Sequence, residues 1–202
     1  MIKLYGSARS SAARCMWLME EMGVPYETIT LNMREGEHKS PEYLKLNPNG
    51  KVPTLIDGDF VLYESFAINH YLARKYMPTL LGEHEEEDGL ILQWTFWAVL
   101  HIQHNFEPMA YAAWKLDTVT PELEVKHTNL VNKFLGILDK QLEGKKYILG
   151  DRFSLADINL HSCVNFGAAI NFNFSPFPNL QRWLKSLEER PALQKIRALQ
   201  KA

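Results

Sequence analysis

The chain has 202 residues, 46% of them apolar and 23% charged, the make-up of an ordinary globular protein long enough for one large domain or two modest ones. A formal net charge of -2, with no basic face, gives no electrostatic reason to expect nucleic acid. Two cysteines, Cys15 and Cys163, are too few for a disulfide framework and lack metal-ligand spacing, so the expected partners are small molecules or protein in a reducing compartment.

The segment Met1 to Tyr5 has no apolar core of a secretory signal, and no apolar run is long enough to span a bilayer. The expectation is a cytoplasmic protein without membrane contact. Residues 2 to 5 alternate apolar and polar and stop at Gly6, which predicts a strand and a turn. Between Ser10 and Gly23, Ala13, Trp17, Leu18 and Met22 recur at helical spacing, with Ser10 or Ser11 placed to cap the start. Tyr26 to Leu31 is β-branched enough for a second strand, and strand, helix, strand in this length makes a βαβ unit.

After a polar stretch with a short helix at Pro41 to Leu46, residues 47 to 55 (Asn-Pro-Asn-Gly-Lys-Val-Pro-Thr-Leu) turn from loop into strand with a proline at the strand's start. Proline cannot donate a ladder hydrogen bond, so it belongs at an edge, a bulge or a strand start. The X-Pro bond Val52-Pro53 also makes a cis peptide accessible at about 0.5 to 1 kcal/mol. Such a bond would turn the Val52 amide and carbonyl outward as a strand-like edge for an extended ligand; an ordinary turn into a hairpin is the alternative. Val52 to Ile56, the turn Asp57-Gly58-Asp59 and Phe60 to Tyr63 read as a hairpin. Glu64-Ser65 then open a helix that runs to about Tyr76.

Residues 1–76 thus read βαβαββα, a thioredoxin-like order. Residues 77–88, ending in the acidic run Glu83 to Asp88, read as a solvated linker plus a first helical turn. Residues 89–202 contain no convincing strand. One long helix carries Leu90, Trp94, Trp97 and His101, a second Leu123 to Leu142, and others begin near Ser154, Leu180 and Pro191. Ser154 and Asp157 have the spacing of a capping box, with Phe153 and Ile158 placed as a hydrophobic staple. That box is structural.

Ser10 to Arg14, His38-Lys39, Asn47 to Pro53, Glu64-Ser65 and Gly150 to Asp157 together, in this order and spacing, resemble the glutathione transferase family over the whole chain. The resemblance implies a thioredoxin-like glutathione-binding domain followed by an all-helical domain that lines an electrophile site. It implies a homodimer, glutathione as co-substrate, and no metal or tightly bound cofactor. Serine-type relatives place the catalytic serine four residues before an arginine, which is the spacing from Ser10 to Arg14; Ser11, and after it Ser7, stand beside it as alternatives. A hydroxyl at a helix start can donate to a thiolate, and the unpaired amides there favour an anion.

By the same resemblance, Ser65 would take the γ-glutamyl carboxylate, Glu64 the ammonium region, and the Val52 backbone beside Pro53 the cysteinyl part. His38, Lys39 and Lys51 would meet the glycine carboxylate, as in the plant-type phi class. Asn49 departs from that class, whose members often place there an aromatic that docks on the partner subunit. No Cys-x-x-Cys stands at the first helix, which disfavours dithiol redox chemistry, and Cys15 falls inside the helix. For the second substrate the candidates are His101, Asn105 and Met109, on a helix also rich in Trp94, Trp97, Phe106, Tyr111 and Trp114 that serve equally as core. The phenylalanines between Phe166 and Phe177 either border that pocket or simply pack. The expected activity is conjugation of the glutathione thiolate to small, mostly hydrophobic electrophiles. A dehalogenase, peroxidase or isomerase on the same binding residues, or a noncatalytic interaction module, is the alternative.

Overall fold

A computed structural model describes residues 1–201. The chain divides into two units, residues 1–78 with 189–202, and residues 79–188. In the first unit the elements are β1 (Ile2–Tyr5), α1 (Ala13–Met22), β2 (Tyr26–Ile29), α2 (Pro41–Leu46), β3 (Thr54–Asp57), β4 (Phe60–Tyr63) and α3 (Ser65–Tyr76). This is the βαβαββα order. The sheet runs β2-β1-β3-β4, with β1 parallel to β2 and antiparallel to β3, and β3 antiparallel to β4. Parallel β1 and β2 need a crossover, and α1 supplies it. The alternation of β1 puts Ile2 and Leu4 in the core, against Leu18, Leu55, Ile68 and Leu72, which are also fully buried.

Helix α9 (Pro191–Lys201) belongs to this unit, although the sequence reading groups it with residues 89–202. The reason is side-chain chemistry on α1. Arg190 forms two charge-assisted hydrogen bonds with the Glu21 carboxylate, at 2.6 and 2.7 Å, Lys195 pairs with Glu20, and the Gln200 amide donates to the Ala8 carbonyl. Bidentate arginine pairs fix orientation as well as adding energy.

The second unit is helical among its described residues: α4 (Glu85–Trp97), a π-helical segment (Ala98–Gln103), α5 (His104–Ala113), α6 (Pro121–Gln141), α7 (Leu155–Ala169) and α8 (Pro178–Glu188). The long helix expected to carry Leu90 through Trp114 runs to Ala113, with a wider π turn in its middle. The acidic run supplies a first helical turn, and two of its carboxylates are bonded. Glu85 to Asp88 make the first turn of α4, Asp88 accepts from the Gly82 amide and Glu87 from the Glu83 amide, and Glu87 also pairs with Arg152. Acceptors at a helix start satisfy amides that the helix leaves unpaired.

The box at the start of α7 forms as expected, and its carboxylate does more than cap. Asp157 accepts from the Ser154 amide and hydroxyl, from the Ile148 amide and from the Trp183 indole. It therefore joins the loop before α7 to α8. Burial pushes the Asp157 carboxyl up, and these four donors oppose that. No helix is long and apolar enough to cross a membrane among the described residues.

Candidate functional site

Two helix starts meet in the first unit. Cys15, in the first turn of α1, donates its thiol to the carbonyl of Ser65, the first residue of α3, at 3.4 Å. Arg14, buried on α1, lays its guanidinium over the Phe66 ring at 4.3 Å. Each start contributes partial positive charge and unpaired amides, so together they form an anion-favouring edge. Cys15 itself is a poor nucleophile: burial pushes its thiol up to about 12, only partly opposed by Arg14.

The Ser10 hydroxyl donates to the Ser7 carbonyl at 2.9 Å and accepts from the amides of Ser7 and Ala12, both at 3.2 Å. It organises the turn before α1 rather than capping the helix, whose cap residue is Ala12. Gly6 holds this turn against the strand loop. A Cβ there would come within 2.5 Å of Ala12 Cβ, 3.3 Å of Ser10 Oγ and 3.5 Å of Val52 Cβ, and its φ of +138° disfavours any other residue. Ser10 and Val52 thus flank one glycine. The Ser11 hydroxyl points elsewhere, donating to the Val52 carbonyl at 3.0 Å.

The Val52-Pro53 bond is cis, one of the two conformations the loop-to-strand stretch leaves open, and Pro53 is buried while Val52 is half-buried. Helix α2 supports the loop. The Lys51 carbonyl accepts from the Tyr43 hydroxyl and the Asn47 amide, each at 2.7 Å, and both side chains also meet the Thr54 hydroxyl. Asn49 turns inward onto Asn47, so its side chain is engaged locally.

A cationic group lies on the same loop. Lys39 donates to the Asn49 carbonyl at 3.4 Å, and a Cβ on Gly50 would fall 2.8 Å from both the His38 carbonyl and Lys39 Nζ. Gly50 (φ +57°) is what lets these strands of chain approach. His38 Nδ1 is buried without a hydrogen-bond partner among the described residues, and Lys51 is exposed. On the other side, Ser65 is buried and Glu64 exposed, and Glu64 sits at φ +72°, the left-handed region. A non-glycine residue there stores strain that clusters at ligand sites. The sequence carries no signal for it, since Glu is not a residue that favours this conformation.

The three electrophile candidates behave differently. His101, Asn105 and Met109 share one face at helical spacing, and that face is turned to α6. His101 stacks on Phe134 at 4.5 Å between centroids, Asn105 is buried and bonded to His127 and the His101 carbonyl, and Met109 is buried with its sulfur accepting from Thr128. His101 and Asn105 pack along this seam, while Met109 also lines a cavity with Ala112, Ala113, Thr128, Ile170 and Phe172. Burial, with the nearby His104 and Lys126 charges, holds the His127 imidazole below its usual range. Phe172 and Phe174 pack on Phe106, with Gly167 leaving room for Phe106 and Phe174; Phe172 and Phe174 are half-buried, and Phe172 lines the same cavity as Met109. An aromatic cluster of this unit that reaches the surface is Tyr111, Trp114 and Phe166, linked by ring contacts of 6.0 and 6.1 Å, with Trp114 44% exposed. Exposed aromatic surface is the signal that separates it from core. No group of His, Cys, Asp and Glu side chains among the described residues is arranged to hold a metal.

Comparison with known proteins agrees over both units. Residues 1–74 match the model "Glutathione S-transferase, N-terminal domain" and residues 95–191 the model "Glutathione S-transferase, C-terminal domain". Glutathione S-transferase 1 of Zea mays is 36% identical over 209 residues, covering 99% of this chain and 97% of the relative. The structure of glutathione S-transferase I from maize in complex with an atrazine glutathione conjugate is 33% identical, with a TM-score of 0.86 over 99% of this chain and 98% of that one. A glutathione transferase from Phanerochaete chrysosporium, in complex with oxidized glutathione, is 28% identical with a TM-score of 0.88, covering 98% of this chain and 94% of that one.

Proposed function

The chain belongs to the glutathione S-transferase family and is a glutathione transferase, and we propose that it works by stabilising the glutathione thiolate at Ser10. The observation that carries this assignment is the pairing of two helix starts, with the Ser10 hydroxyl in the turn before one and Ser65 opening the other.

Glutathione carries two carboxylates and a thiol. The γ-glutamyl carboxylate sits at the start of α3 on Ser65, with Glu64 meeting its ammonium. The glycine carboxylate meets Lys39, Lys51 and His38. The cysteinyl backbone pairs with Val52 beside Pro53. The thiol then falls at the turn before α1. The Ser10 hydrogen swings from the Ser7 carbonyl to the sulfur, while the positive end of α1 favours the anion. A thiol with an ordinary value of about 8.5 is thereby ionised to a larger extent at neutral pH. The thiolate attacks an electrophilic carbon, forming the carbon–sulfur bond while the leaving group departs with its electron pair. Proximity of the two bound reactants supplies much of the acceleration.

The conjugate held by the maize relative supports small, mostly hydrophobic electrophiles as the second substrate, and Tyr111, Trp114 and Phe166 are the aromatic surface that favours such molecules. A homodimer is supported by apolar side chains that monomers seldom leave open. Leu92, Phe96 and Leu100 are exposed at a four-residue spacing along α4 and the π segment, and Phe60, Val61 and Tyr63 are exposed on β4. Because Asn49 is engaged with Asn47, the dimer forms without an aromatic dock from that position. Family likeness supports a cytoplasmic location and a role in detoxification.

The test is calorimetric titration with glutathione, followed by a panel of activated aryl halides, epoxides and hydroperoxides. Saturable glutathione binding with thioether products from the first two groups is expected. Binding of no glutathione, or turnover of hydroperoxides alone, would refute the proposed conjugation chemistry.

A further inference from the structure

Ser10 and Ser11 are adjacent, yet their hydroxyls face different partners. Resting on the glutathione-transferase reading above, we infer that Ser11 is a positioning residue: its hydroxyl holds the Val52 carbonyl so that the Val52 peptide edge is aimed at glutathione before glutathione arrives.

The peptide unit is planar. In a trans unit the C=O and N–H point in opposite directions. The Lys51–Val52 unit is not among the cis bonds, of which Val52-Pro53 alone is recorded among the described residues. Its carbonyl is drawn inward by Tyr43 and Asn47, at 2.7 Å each. The Val52 N–H, at the other end of the same plane, therefore points away from α2, and it has no hydrogen-bond partner among the described residues. The next carbonyl, that of Val52, is fixed independently by the Ser11 hydroxyl at 3.0 Å. A carbonyl oxygen has two lone pairs, so Ser11 occupies one and leaves the other for an incoming amide. Val52 then offers one donor and one acceptor, the pair an extended ligand uses when it adds to a strand edge.

The side chains of Ser11, Tyr43 and Asn47 thus clamp two successive peptide units. The turn before α1 that carries Ser10 is bound by Ser11 to the loop that carries Val52. Without Ser11 the Val52 carbonyl would need another partner and its orientation would be free, so the cost of ordering it would fall on glutathione binding. The Ser11 hydrogen is spent on this carbonyl, which separates its role from that of Ser10.

The experiment compares Ser11→Val with the near-isosteric Ser11→Thr, which differ by one hydroxyl; Ser11→Ala serves if the valine variant folds poorly, as judged by thermal midpoint. Loss of the hydroxyl is expected to raise the KM for glutathione about five- to tenfold with kcat at saturation changed less than about twofold, the pattern of lost uniform binding. The ultraviolet titration of the bound thiolate should not move, and threonine should restore KM. An unchanged KM would overturn the inference, and so would a fall in kcat with an upward move of the thiolate titration, which would make Ser11 the thiolate donor. If the wild type itself fails to saturate with glutathione, the parent reading falls and takes this inference with it; wild-type saturation with an unaffected valine variant removes the inference alone.

Discussion

The indole N–H of Trp183 on α8 donates to Oδ1 of Asp157 at 2.9 Å, and the Ile148 amide donates to the same oxygen at 2.9 Å. One carboxylate in the first turn of α7 thus serves a helix cap, a preceding loop and a neighbouring helix. Asp157→Ala would leave these donors buried without an acceptor, and several such losses together amount to about 3 kcal/mol or more, above the roughly 1 kcal/mol of a simple cap. Chemical denaturation should show the lower midpoint. Glutathione affinity, measured on the folded fraction, should be unchanged; affinity lost with an unmoved midpoint would contradict the structural assignment.

Asp57, at the end of β3, accepts from Lys75 Nζ, Tyr71 and Tyr76 at 2.7, 2.9 and 2.7 Å. Burial alone would raise its carboxyl, but these three donors outweigh that and hold it below the usual carboxylate range. A depressed value in the folded chain means that the ionised carboxylate stabilises the fold above its unfolded value, about 3.9. That stability is lost as pH falls through the folded value. Asp57→Asn should therefore lower the thermal midpoint at neutral pH, and the two proteins should converge in strong acid. Parallel curves down to the lowest pH would show that the charge is not what Asp57 contributes.

Much of the fold was legible in the sequence because its signals are local. Residues 41 to 46 and 65 to 76 are helices where the reading of Pro41 to Leu46, Glu64-Ser65 and the apolar spacing place them, and the Asp57-Gly58 turn closes the hairpin it predicts. The assignment of α9 was not legible, since it depends on Arg190 meeting Glu21 across 169 residues. Within the site, Ser10, Ser65 and the Pro53 loop were picked out by the order and spacing they share with the glutathione transferase family; residue type alone left Ser7 and Ser11 beside Ser10. The electrophile candidates did not separate from core, because helical periodicity gives a shared face without saying which way it is turned. The Tyr43 and Asn47 clamp was likewise hidden: a helix residue and the residue that ends the helix acquire this role only when α2 folds against the loop.

The exposed stripe Leu92, Phe96 and Leu100 gives the dimer a direct test. Replacing Phe96 and Leu100 with aspartate would place charges where the proposed partner copy buries apolar surface, a costly exchange. Light scattering should report a dimer for the wild type and a monomer for the variant, with the helical circular dichroism retained. A wild type that is monomeric at micromolar concentration would contradict the dimer.

Lys39 tests the carboxylate end of the site. Lys39→Ala is expected to raise the KM for glutathione about tenfold, equivalent to about 1.4 kcal/mol of binding, while kcat at saturation changes little. The glycyl ethyl ester of glutathione lacks the charge that Lys39 is proposed to meet, so it should bind wild type and variant alike. Equal losses for glutathione and its ester would place Lys39 elsewhere.

The central claim is that the Ser10 hydroxyl stabilises the bound thiolate, and the ultraviolet titration of the glutathione thiolate on wild type and Ser10→Ala tests it most directly. The wild type should show the bound thiol ionising below its free value, and the variant should bind glutathione comparably but ionise it at higher pH. Turnover near neutral pH should fall about a hundredfold in the variant, the scale seen when one preorganised donor to a developing anion is removed. A variant that ionises bound glutathione at the wild-type pH and keeps its rate would contradict the account.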